Sequence, residues 1–240
     1  METIPLALVT GAANRIGKTF ALTLARRGFA VLLHYNLSVD EATASAEEIR
    51  VLGVPVYLAQ ADLTKDPNLT ALLSTLDALP HQLSVLVNSA SIMLTNDTGV
   101  TLPADWDATF ALNLRAPFLL AQQAASRMAE GGLIVNITDV AAHKLWSRFP
   151  AYVISKSALE TLTRLLAKSY APRIRVNAIA PGLVLPSNHV TQAEWEKLIQ
   201  RLPLKRPTSP DEVAKALTFL LDNTSVTGQT IVVDGGYSLI

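Results

Sequence analysis

The stretch Leu133-Ile-Val-Asn-Ile-Thr-Asp139, followed after a loop by Ala151-Tyr-Val-Ile-Ser-Lys156, decides how the chain folds. An apolar, β-branched run ending in polar residues predicts a buried strand that reaches the carboxyl edge of a parallel sheet, where open α/β folds place ligands. Asp139 falls on that edge. From Ala151 the apolar residues keep helical spacing through Leu166, so Tyr152 and Lys156 stand at i and i+4 on one helix face. A phenol with a free pKa near ~10 is a poor acid or base at neutral pH, and a nearby ammonium favours its ionised form. With five Tyr and eight Lys in 240 positions, some Tyr-x-x-x-Lys pair arises by chance about one time in six. The pair needs support from the rest of the chain.

Half of the residues are hydrophobic and 17% are charged, which excludes a disordered chain and leaves apolar surface for contacts between subunits. Twenty basic residues balance twenty acidic ones, and without a Lys/Arg-rich run neither nucleic acid nor an anionic membrane is an expected partner. With no Cys, disulfides, thiolate metal sites and thiol nucleophiles drop out together. The apolar run Ile4 to Val9 is short, interrupted by Pro5 and lacks a basic flank, so no secretory signal is read there. No apolar span is long enough for a membrane helix, and the expected location is the cytoplasm.

Short apolar runs alternate with amphipathic stretches. Strands are predicted at Pro5 to Thr10, Ala30 to Tyr35, Val54 to Gln60, Leu83 to Asn88, Leu133 to Asp139, Ile174 to Ile179 and Gln229 to Val233. Helices are predicted at Asn14 to Arg27, Val39 to Leu52, Asp66 to Ala78, Pro103 to Glu130 with a kink at Pro117, from Ala151 onward, Gln192 to Arg201, and Pro210 to Leu221. Alternating β and α with wholly apolar strands predicts a Rossmann-type α/β fold, a doubly wound parallel sheet of about seven strands. No linker or repeat divides it, so residues 1–240 are expected to form one domain.

The first strand empties into Thr10-Gly11-Ala12-Ala13-Asn14-Arg15-Ile16-Gly17-Lys18-Thr19. Glycines at a strand-to-helix turn let backbone N–H groups approach a phosphate. Five residues separate Gly11 from Gly17, one too many for a Walker A loop, which points away from an NTPase. After the second strand stands His34-Tyr35-Asn36-Leu37-Ser38, without the carboxylate that would hold a ribose 2′-hydroxyl. Arg15 and Ser38 can instead meet a 2′-phosphate, so NADPH is expected over NADH. Asp62 and Leu63 follow the third strand and Asn88, Ser89, Ala90 and Ser91 the end of the fourth; Asp62 can accept from an adenine amino group, and either loop is equally read as plain turn chemistry. Asn113, inside the long helix, is expected to hold Lys156 through water. His34, His81, His143 and His189 show no ligand spacing, so no metal site is expected. No Gly-x-Ser-x-Gly elbow is present.

Taken together, Thr10-Gly11 to Gly17, Asp62, Asn88, Asn113, Tyr152 to Lys156 and Pro181-Gly182 resemble the short-chain dehydrogenase/reductase family over essentially the whole chain. Within it the chain looks most like the pteridine reductases. Arg15 stands where most relatives have Gly, the second strand ends His34-Tyr35, Asp139 replaces the usual Ser, and Val233-Asp-Gly-Gly-Tyr-Ser-Leu239 is similar to theirs.

The resemblance implies an NADPH-dependent reductase of pteridine or dihydropteridine substrates, dihydrofolate among the candidates, that transfers hydride to a ring C=N. Asp139 and Tyr152 would supply the proton, and Lys156 would lower the Tyr152 pKa and hold the nicotinamide ribose. The cofactor set is Gly11, Asn14, Arg15, Ile16, Gly17, His34, Tyr35, Asn36, Ser38, Asp62, Leu63, Asn88, Ser89, Ala90, Tyr152, Lys156, Pro181 and Gly182. The substrate set is Arg15, Ser91, Met93, Asp139, Tyr152 and Val184, with Trp146, Leu185 and Trp195 at the mouth. Three positions depart from the branch: Met93 replaces a stacking aromatic, Val184 a Ser, and Leu37 a second basic residue for the 2′-phosphate. A reductase of ketones or 3-oxoacyl thioesters is the alternative, and a non-catalytic NADP sensor a further one. Relatives are homotetramers, which implies interfaces through the helices around 105–128 and 151–168.

Overall fold

Apolar residues on both faces of every inner strand require helices on both sides of the sheet, and the chain supplies them in alternation. A computed structural model describes residues 4–94, 100–186 and 190–240; His189 lies outside the described residues. The elements are β1 (Leu6–Val9), α1 (Arg15–Arg26), β2 (Ala30–Tyr35), α2 (Val39–Val51), β3 (Val56–Gln60), α3 (Asp66–Asp77), β4 (Leu83–Asn88), α4 (Pro103–Phe110) and α5 (Ala116–Arg127). They continue as β5 (Gly132–Ile137), α6 (Ala141–Lys144), α7 (Pro150–Tyr170), β6 (Ile174–Pro181), α8 (Gln192–Arg201), α9 (Pro210–Asp222) and β7 (Thr230–Val233).

All seven strands run parallel in the order β3-β2-β1-β4-β5-β6-β7. The chain winds outward from β1 to β3, then returns to place β4 on the other side of β1. That reversal opens a crevice beyond the carboxyl ends of β1 and β4. Along β1 the side chains alternate between two cores: Leu6 and Leu8 pack with Leu72 of α3 and Leu120 of α5, and Ala7 and Val9 with Phe20 and Leu24 of α1 and Leu217 of α9. Each fully buried Leu or Phe contributes roughly 1.5–3 kcal/mol relative to exposure.

The expected long helix from Pro103 is interrupted. A π-helical turn over Ala111–Arg115 separates α4 from α5, and Pro117 sits in the first turn of α5, where its missing N–H costs little. The irregularity therefore precedes Pro117. In an α-register Asn113 would offer its carbonyl to residue 117, which has no N–H, and widening the turn resolves that conflict. The short helix α6 and a 3₁₀ turn at Tyr237–Leu239 were not foreseen. Helix α7 runs to Tyr170 and buries Tyr152, Ser155, Lys156, Leu159, Thr163 and Leu166, a single stripe at helical spacing. No described helix is long and apolar enough to cross a membrane.

Gly17 is the tightest point of the β1–α1 unit. A Cβ there would strike the Gly11 carbonyl oxygen and approach its carbon to 2.9 Å, and backbone cannot yield as a side chain does. Gly17→Ala is expected to cost about 3 kcal/mol, read as a lower urea midpoint at unchanged m-value.

Candidate active site

Gly11 adopts φ +63°, and a Cβ on it would meet the Ala90 Cα at 2.8 Å. Both facts demand glycine. The approach is fixed by Thr10, whose hydroxyl accepts from the amides of Ser89 and Ala90, each at 3.0 Å. The turns after β1 and β4 are thus clamped together at the switch point. Lys18 N is the first to make an α1 bond, to Asn14 O, so the amides of Arg15, Ile16 and Gly17 have no intrahelical acceptor, which suits a helix start to an anion.

A cavity of about 1110 Å³ runs along this edge. Gly11, Asn14, Arg15, Ile16, Gly17, His34, Tyr35, Asn36, Ser38, Asp62, Leu63, Ser89 and Ala90 line one end. Ser91, Met93, Asp139, Tyr152, Lys156, Pro181, Gly182 and Val184 line the other, with Trp146, Leu185 and Trp195. Orphaned amides at a helix start, no carboxylate between residues 34 and 38, and an elongated cavity fit a phosphorylated dinucleotide.

Several of the expected site residues also make bonds within the protein. Asn88 does not line the cavity: it lies between strands, its amide donating to Asn136 Oδ1 at 2.8 Å, while Asn136 donates to Thr163 of α7 at 2.9 Å. Asn113 bonds directly to the loop after β4 and to Ser155 of α7. Its Oδ1 accepts from Ile92 N at 2.9 Å and its amide donates to Ile92 O at 2.9 Å and Ser155 Oγ at 3.2 Å, so it pins the loop after β4 to α7. Asp62 accepts from the amide and hydroxyl of Thr64 on Oδ1, at 3.0 and 2.7 Å. Arg15 donates to the carbonyls of Pro186 and Leu185 at 3.2 and 3.3 Å, which ties the glycine turn to the loop after β6. His34 faces inward, with Nδ1 accepting from Gly11 N at 3.1 Å and Nε2 against Ala61 O at 3.0 Å.

At the opposite end Tyr152 Oη donates to Asp139 Oδ2 at 2.8 Å. The other Asp139 oxygen accepts from Ala141 N at 2.8 Å, at the start of α6. Asp139 thus makes the turn contact that any Asp could make there and also engages the phenol. Desolvation raises its pKa above the usual carboxylate range, against the amide of Ala141, Tyr152 and Lys156. Lys156 Nζ donates to Ile137 O at 2.8 Å and lies 5.6 Å from the Tyr152 ring centroid. Burial lowers its pKa to about 8. The expected lowering of Tyr152 is not found: burial, then the Asp139 charge, push the phenol well above its ordinary value, which favours its protonated form. Tyr237, from the turn after β7, also lines this end; the Val233-Asp-Gly-Gly-Tyr237 motif carries it, but no spacing in the sequence ties it to Tyr152.

The enoyl-(acyl carrier protein) reductase family profile matches residues 11–238. An alternative dihydrofolate reductase from Brucella canis, solved in complex with NADP, superimposes with TM-score 0.92 at 39% identity, over 98% of this chain and 94% of that one. A mutant short-chain dehydrogenase/reductase from Serratia marcescens gives 0.90 at 30% identity over 98% of each chain. A 3-oxoacyl-[acyl-carrier-protein] reductase from Staphylococcus epidermidis is 32% identical over 96% of this chain and 97% of its own. The chain belongs to the short-chain dehydrogenase/reductase family. It is accordingly an oxidoreductase.

Burial drops the His34 pKa from 6.5 to about 4. The unfolded chain therefore takes up the proton first: the contribution is full above about pH 6.5 and disappears as pH falls toward about 4. Unfolding by urea at pH ~5 should show about 2 kcal/mol less stability from this group than at pH ~7, a difference that His34→Asn should remove.

Proposed function

We propose that this member of the family is an NADPH-dependent reductase of pteridine or dihydropteridine substrates. NADPH, when bound, supplies the hydride. The observation that carries the reading is the Tyr152–Asp139 hydrogen bond in a site that raises both groups. Reduction of a ring C=N leaves negative charge on a nitrogen that must be protonated, and an acid beside the phenol answers that need. When Asp139 is protonated, its O–H passes to the Tyr152 oxygen as the Tyr152 proton moves to the ring nitrogen, and Asp139 is left ionised. When Asp139 is already ionised, the Tyr152 proton is committed to it. Lys156, held on Ile137 O, orients the nicotinamide ribose and contributes positive charge beside the pair.

Arg15, Ser38 and the absence of an acid after β2 support the preference for NADPH. The 39% identity to an alternative dihydrofolate reductase supports the pterin assignment. Similarity to a 3-oxoacyl-[acyl-carrier-protein] reductase supports a ketone reductase as the second reading. Trp106, Phe118, Ile154 and Leu165 leave apolar surface exposed on α4, α5 and α7, which supports assembly as a homotetramer through these helices.

Oxidation of NADPH is to be followed with biopterin, dihydropteridines, dihydrofolate, ketones and oxoacyl thioesters. Turnover confined to ketones and thioesters would sink the pterin reading. Tyr152→Phe and Asp139→Asn should each lower kcat by about 10²–10⁴-fold with NADPH affinity retained. Because the protonated acid is the working form, kcat should fall as pH rises through the elevated Asp139 pKa, and Asp139→Asn should erase that limb.

A further inference from the structure

His34 is 2% exposed and takes no part in the chemistry above, yet three contacts converge on it. Its Nδ1 faces Gly11 N at 3.1 Å, its Nε2 faces Ala61 O at 3.0 Å, and its backbone oxygen accepts from Ala12 N at 2.9 Å. A carbonyl only accepts, so Nε2 carries the hydrogen and Nδ1 is left as the acceptor that the Gly11 amide requires. One neutral tautomer satisfies both bonds. Two successive amides of the glycine turn hang on this residue, and the same ring secures the end of β3.

The amides of Gly11 and Ala12 are therefore spent inside the protein, leaving those at the start of α1 to meet phosphate. On its far side the turn is blocked, since the Ala90 backbone leaves no room even for a Cβ on Gly11. We propose that His34 is a positioning residue for the dinucleotide: its Nδ1 acceptor sets the path of the glycine turn, and so aims the first amides of α1 at the pyrophosphate. This rests on the NADPH reading and is independent of the pterin one. The ring acts on the turn and not at the ribose 2′ end, so NADPH and NADH are affected alike.

Asn places an oxygen where Nδ1 stands, whereas Gln reproduces only the donor at Nε2. The test compares wild type, His34→Asn and His34→Gln, with NADPH and NADH Kd measured by nicotinamide fluorescence and the Tm of each protein taken without cofactor. His34→Gln is expected to weaken both dinucleotides about tenfold, the scale of one buried hydrogen bond, with an unchanged NADPH/NADH ratio. His34→Asn should stay within about threefold of wild type, although it too loses the bond to Ala61. Equal weakening in both variants, or Kd values that simply follow Tm, would overturn the proposal. A changed NADPH/NADH ratio would do so as well, by placing the ring at the ribose. Wild-type protein that bound neither dinucleotide would defeat the cofactor reading along with it, whereas tight NADPH binding without pterin turnover would leave this inference intact.

Discussion

The clamp between the turns after β1 and β4 is the constraint on which the site depends. The Thr10 hydroxyl accepts two amides from the β4 turn, and Gly11 lies against the Ala90 backbone with no space for a side chain. A doubly wound sheet has its crevice where the strand order reverses, and here the crevice walls are locked at the point of reversal. Everything further out is referred to this contact. Arg15 carries it to the loop after β6, and Asn113 carries the loop after β4 to α7.

Helix α7 then presents Tyr152 and Lys156 to the cavity, its buried stripe being polar where it meets β5. Thr163 receives Asn136, Ser155 receives Asn113, and Lys156 reaches Ile137 O. These bonds satisfy groups that would be costly to bury alone, and they fix the rotation of the helix so that Tyr152 meets Asp139. Burial drives Asp139 toward its neutral acid and Lys156 toward its neutral amine, while Tyr152 is kept a phenol. All three shifts have desolvation as their largest cause, so the reactivity follows from the depth of the site more than from any single charge pair.

Much of this was legible in the residues. The strand and helix order follows from apolar periodicity, and Tyr152 and Lys156 from an i, i+4 spacing that the backbone honours. Side-chain direction was less legible. His34, Asn88, Asp62 and Arg15 all sit at carboxyl ends of strands or just beyond, where the sequence places ligand contact, and each also bonds to protein. In a strand covered on one face only, parity would have told inward from outward. Here both faces are buried, and parity carries no such signal. The bonds of Asn113 to Ile92 and Ser155 were not legible either, because the π-helical turn beside Pro117 alters the helix register in a way that residue spacing does not show.

Asp139 shows why a residue's dual bonding bears on which reaction is run. A hydroxyl at this position could donate to a substrate oxygen and would do so at any ordinary pH. A carboxyl group can donate only when protonated, and in this site one of its oxygens is already committed to the Ala141 amide. That commitment favours the ionised form, and desolvation outweighs it. The remaining oxygen faces Tyr152 alone among the described hydrogen bonds of the pair, so any proton Asp139 holds is deliverable through the phenol. A ketone gains little from such a relay, because a single donor suffices for its oxygen. A ring nitrogen that becomes strongly basic on hydride addition gains a proton source with a reserve behind it. Under the proposed pterin reading, the bond between Tyr152 and Asp139 is the feature that favours nitrogen over oxygen as the site of protonation.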